Sequence, residues 1–87
     1  LACVVVGDFN CIPESATMQY FYSEGFIFVD KGHDKFSYQG EHQREIDHLL
    51  FRDSREVQFE KKNVLLLKQP IVSDHRPLIV ELEATLK

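Results

Sequence analysis

The sequence predicts a mixed α/β fold of the α+β kind, with several strands and one helix. Three observations carry this. Residues 1–6 (Leu-Ala-Cys-Val-Val-Val) form an unbroken apolar run ending in β-branched residues, a strand composition. Met18, Phe21, Tyr22 and Gly25 fall at the i, i+3, i+4, i+7 spacing of one helix face. Residues 77–83 set Leu78, Val80 and Leu82 in alternation with Ile79, Glu81 and Glu83, the period of two of a strand.

The first run, stopped by Gly7, reads as a central strand buried on both faces. A polar turn over residues 7–10 and then Cys11-Ile12-Pro13 follow. Ser15 can cap the free N–H groups of a helix, and Gly25 can end it. Strand, turn and helix together make a crossover unit. Residues 26–29 are a second apolar run, and residues 30–35 are polar. Phe36-Ser37-Tyr38 reads as a strand end leading through the Gly40 turn into a strand over residues 45–51. There Ile46, His48 and Leu50 point one way, and Asp47, Leu49 and Phe51 the other. Asp53-Ser54-Arg55 breaks it. Val57 and Phe59 alternate with polar neighbours, Glu60-Lys61-Lys62 reads as a solvated loop or strand edge, and residues 64–67 are apolar. Gln69-Pro70 turns the chain toward the final strand. There is no repeat, linker or low-complexity segment. One helix cannot cover both faces of such a sheet. An apolar face is therefore expected to lack its partner, whether that is an absent N-terminal half, another chain, or a second copy in a homo-oligomer.

Composition excludes several classes. The 87 residues are 44% hydrophobic and 28% charged, which is neither a disordered nor a membrane composition. No apolar stretch approaches the ~18 residues of a membrane span, and no signal peptide precedes the first run. An intracellular setting is the expectation. Fourteen acidic residues against ten basic ones leave a formal charge of −4, the wrong sign for a simple electrostatic sleeve around nucleic acid. That balance still suits a site where a divalent cation meets phosphate. Two cysteines do not make a disulfide framework, and Cys3, inside the apolar run, reads as a buried inert thiol.

Three short motifs gather acids, an amide and imidazoles at strand ends: Gly7-Asp8-Phe9-Asn10, Arg44-Glu45-Ile46-Asp47-His48, and Ser73-Asp74-His75-Arg76-Pro77-Leu78. Polar groups held at the ends of rigid apolar strands can converge on one site. These residue types are those of metal-assisted phosphoryl chemistry, with hard oxygens for Mg²⁺, a histidine near a carboxylate, and an amide for a phosphate oxygen.

In this order, with the helix and Gly25-Phe26 between the first two, the motifs resemble the C-terminal part of the endonuclease/exonuclease/phosphatase superfamily. The resemblance covers essentially all 87 residues as one portion of a single domain. It implies the C-terminal half of a four-layer α/β sandwich with mainly antiparallel sheets. It also implies a metal-dependent hydrolase of phosphate esters, a phosphodiesterase or nuclease cleaving nucleic acid, using Mg²⁺ or Mn²⁺. Asp8 would lie near the attacking water and at the metal, and Asn10 would bind the scissile phosphate. Asp47 would orient the ring of His75, which would act on the phosphate as base or stabilising cation. Asp74 would lie at or beside the metal. Either Asp8 or His75 can take the water's proton. The family's metal-binding glutamate and a second asparagine come from an N-terminal half with no counterpart in this sequence, so these residues alone are expected to be weak or inactive. Other members act on inositol phosphates or sphingomyelin. A non-catalytic fragment that self-associates is the competing expectation.

Plainer readings stand beside these. Asp8 and Asn10 suit an ordinary turn, and Asp74-His75 an ordinary polar loop. Asp47, inside an apolar strand, needs a partner in any case, and His75 or Arg44 can serve. His48 reads as partly buried packing, and His33 and His42 as surface residues. Arg76 reads as solvent-exposed or bonded to backbone. Phe36 and Tyr38 read as strand-end packing.

Overall fold

His48, Leu49, Leu50 and Phe51 are four consecutive buried residues, so the strand that carries them needs cover on both faces. The computed structural model describes residues 1–69 and 73–87, and Pro70 of the expected turn lies outside the described residues. The elements run β1 (Cys3–Asp8), α1 (Ala16–Ser23), β2 (Ile27–Phe28), β3 (Tyr38–Gln39), β4 (Gln43–Arg44), β5 (Asp47–Arg52), β6 (Val57–Leu66) and β7 (Leu78–Leu86). They form a three-stranded sheet in the order β1-β5-β2 and two antiparallel pairs, β3-β4 and β6-β7. The fold is mixed α+β, with antiparallel pairing and one short helix.

Because β1 and β2 both run antiparallel to β5, they are parallel to each other, and α1 makes the crossover between them. Ser15 caps the helix by accepting from the Met18 N–H at 3.3 Å. Gly25, at φ +87°, takes the left-handed turn after the last helical residues. Met18 is fully buried, and Phe21 meets Phe9 and Phe26 edge-on at 5.6 and 5.5 Å. The other face of β5 sends Leu49 and Phe51 into a cluster with Val29, packed against Phe59, Val64, Val80 and Leu82 from the β6-β7 pair.

Several expectations need correction. The first strand is not central. Among the described residues β1 is an edge strand, paired with β5 alone, and Val4 and Val6 are 43% and 60% exposed. The β6-β7 pair covers β5 and stops short of β1, so the outer valines meet solvent. β1 also reaches Asp8, so Gly7 and Asp8 belong to the strand and the turn starts at its last residue. Cys3 is half-buried rather than enclosed. Of the two readings for residues 60–62 the strand edge holds: pairing with β7 carries β6 through them, with a register irregularity between Lys61 and Asn63. Several large apolar side chains are exposed, among them Val4, Val6, Ile27, Leu65 and Ile79. No helix among the described residues is long and apolar enough to cross a membrane.

Candidate functional site

The pairing of β1 with β5 places Asp8 directly opposite Asp47. Two like charges facing each other across a ladder are unfavourable, and a histidine lies between them. His75 Nδ1 is 2.8 Å from Asp47 Oδ2, and its Nε2 is 3.8 Å from Asp8 Oδ2. The Nδ1–H donates to Asp47, which fixes the tautomer and aims Nε2 toward Asp8. The hydrogen bond to Asp47 holds the His75 pKa above the usual histidine value. The negative charges of Asp47, Asp8 and Asp74 add to this, and burial opposes it.

Each side chain has a local reason to be there. Asp8 Oδ1 accepts from the Asn10 N–H at 2.8 Å, an Asx turn that lets Asn10 sit at φ +51°, a conformation asparagine tolerates. The Phe9 N–H bonds the Ile46 carbonyl at 2.9 Å, tying that turn to the start of β5. The Ser37 hydroxyl, fully buried, accepts from the Ile46 and Asp47 N–H groups at 3.2 and 3.0 Å. His75 is held by a short antiparallel bridge to Tyr38, in which Gln39 N–H donates to Asp74 O and Arg76 N–H to Ser37 O, each at 2.7 Å. The Tyr38 ring stands edge-on to the imidazole at 5.4 Å. Gly40 leaves room for that ring, which any Cβ there would strike.

Asp8, Asp47 and His75 offer ligand atoms within 4.8 Å of one another. With His75 Nδ1 committed to Asp47, the donors left for a hard cation are the carboxylate oxygens, Asp8 Oδ2 first. That set fits Mg²⁺ or Mn²⁺, which binds through one or two carboxylates and fills its remaining positions with water and phosphate oxygens. Asp74 is not in this group. Its carboxylate is exposed and accepts a long bond of 3.4 Å from the Ser73 hydroxyl, so it contributes negative field beside the site. Asn10 is exposed at the turn next to Asp8. Arg44, the other partner considered for Asp47, is exposed, and His33 and His42 are also surface residues.

A second, buried polar cluster lies under the site. His48 Nε2 is 2.7 Å from the Cys11 carbonyl, and its Nδ1 is 3.2 Å from Lys31 Nζ. The carbonyl can only accept and the ammonium can only donate, so this imidazole is neutral with its proton on Nε2. Burial is the main cause holding its pKa below the usual value. Lys31 Nζ also pairs with Glu45 Oε2 at 2.9 Å and sits 4.3 Å from the Phe28 ring centroid. Its pKa is pushed down by burial, with Glu45 opposing. The sequence signal for this cluster was a histidine on the apolar side of β5, which requires hydrogen-bond partners once buried; nothing local identified them as Lys31 and Cys11.

Arg76 corrects the expectation of exposure: it is buried, and it bonds Asp34 as well as backbone carbonyls. No family model matches the chain, and no curated protein or solved structure matches it either.

Proposed function

We propose that this chain carries the C-terminal half of the active site of a metal-dependent phosphate-ester hydrolase, a phosphodiesterase or nuclease of the endonuclease/exonuclease/phosphatase type. The observation that carries the reading is the convergence of Asp8 and Asp47, 39 positions apart in sequence, on the two nitrogens of His75. Asp47 orients the ring and stabilises its positive charge. Nε2 is thereby aimed at the space beside Asp8, where it can take a proton from water or hold a phosphoryl oxygen. Asp8 is available both as a metal ligand and as an acceptor for that water's proton, and Asn10 is the amide for the phosphate. Bound Mg²⁺ would neutralise charge on the transferred phosphoryl group. In the four-layer sandwich that this reading entails, a glutamate ligand and a second asparagine come from the N-terminal half, so residues 1–87 alone turn over slowly. The substrate within this reading is nucleic acid.

The test is Mg²⁺-dependent hydrolysis of an activated phosphodiester by these residues joined to their upstream coding sequence. Asp8→Ala and His75→Ala should each lower turnover on the order of 10²–10⁴-fold while each variant keeps a dispersed, folded amide spectrum. Unchanged rates in both would remove the assignment. A self-associating, non-catalytic fragment is the second reading, favoured by the exposed Val4 and Val6 on an edge strand. It predicts a dimer by light scattering and no metal-dependent turnover in any longer protein.

A further inference from the structure

We propose that Arg76, through its paired bonds to Asp34, is a positioning residue that sets the distance between Asp47 and His75. All five N–H donors of its guanidinium have an acceptor. Nη1 donates to Asp34 Oδ1 at 2.9 Å and Phe36 O at 3.1 Å. Nη2 donates to Asp34 Oδ2 at 2.8 Å and Leu66 O at 2.7 Å, and Nε donates to Leu67 O at 3.3 Å. The side chain is 4% exposed. Its partner Asp34 is 57% exposed, and an ion pair with one member at the surface contributes little stability by itself. This one joins three stretches of chain: residues 34–36, the end of β6, and the backbone immediately after His75.

The first of those stretches leads directly to the other half of the couple. Ser37 follows Phe36. Its carbonyl accepts from the Arg76 N–H, and its hydroxyl accepts from the Asp47 N–H. Ser37 therefore touches the strand of the acid and the residue after the imidazole, and the Arg76 fork holds the segment leading into it. The 2.8 Å bond from His75 to Asp47 depends on that bracket. Lysine cannot replace it, since an ammonium has three donors and no planar fork.

The catalytic consequence rests on the hydrolase reading, whereas the geometric consequence does not. Both are read in Arg76→Lys and in the milder Asp34→Ala, whose side chain is largely at the surface. The geometric readout is the low-field ¹H resonance of the His75 Nδ1–H in metal-free protein, assigned by its loss in His75→Gln. Both variants should keep a dispersed amide spectrum and lose or broaden that resonance. Turnover should fall about tenfold to a hundredfold, the usual cost of misplacing a catalytic group, with KM within about twofold. Guanidinium added to Arg76→Ala should restore both signals where ethylammonium does not. An intact Nδ1–H resonance in folded Asp34→Ala and Arg76→Lys overturns the proposal, and if Arg76→Lys does not fold, Asp34→Ala decides it. A lost resonance together with no hydrolysis by wild-type residues 1–87 joined to their upstream coding sequence sinks the hydrolase reading and leaves the positioning role standing.

Discussion

The two carboxylates beside His75 should couple to it with very different strengths. The bond to Asp47 is short, and the two side chains are 15% and 31% exposed. A hydrogen bond to an ionised partner in that setting contributes about 1.5–3 kcal/mol. Asp8 is 3.8 Å away and 51% exposed, the range in which ion pairs contribute about 0–1 kcal/mol. Two double-mutant cycles separate them: Asp47→Asn with His75→Gln, and Asp8→Asn with His75→Gln, each measured by urea unfolding in EDTA. The His75 pKa is raised on folding, so its extra stabilisation is complete below the ordinary histidine value, about 6.5. It is lost as pH rises through the folded-state pKa. Near pH 5.5 the Asp47 cycle should therefore give its full coupling and the Asp8 cycle less than about 1 kcal/mol, with the Asp47 coupling shrinking on the alkaline side. Equal couplings, or none to Asp47, would refute the orientation assigned to the imidazole.

Two further outcomes follow from the core. Leu50 is fully enclosed at the centre of β5, so Leu50→Ala should cost about 2–5 kcal/mol in urea unfolding; a loss under 1 kcal/mol would mean β5 is not the central strand. His48 is held neutral, with its pKa depressed on folding, so it opposes His75. Its contribution is present above about pH 6.5 and is lost as pH falls toward the folded-state value. In a His75→Gln background the urea midpoint should drop between pH 7 and 5 by more than it does in His48→Gln/His75→Gln, and equal slopes would show that His48 is not the group responsible.

The parts of the molecule set by local chemistry were legible in the sequence. The Ser15 cap, the helix face and the Gly25 stop all appear at their expected positions, because each depends on neighbours within a few residues. So does β5, where alternation correctly put His48 and Asp47 on opposite faces. That Asp47 needs a partner was legible because it is a carboxylate in an apolar strand; the residues left His75 and Arg44 open, and only the family resemblance pointed to His75. What local pattern could not supply was sheet order. An apolar run reads the same at a centre or an edge, and β1 turned out to be an edge. Residues 60–62 look like a loop until β7 is laid beside them, with Lys62 reaching Glu60 and Glu83 at 3.3 and 3.8 Å. Arg76 does bond backbone carbonyls, but its burial and its carboxylate, 42 positions earlier, were beyond local pattern.

The face-to-face acids of β1 and β5 leave the last rung of that ladder in tension. With His75 uncharged, Asp8 and Asp47 repel each other, while the Phe9 N–H bond to Ile46 on one side and the Val4 and Val5 pairing with Phe51 and Leu50 on the other hold the rung in place. Positive charge arriving between them, as a proton on the imidazole or as a metal ion, would close the gap.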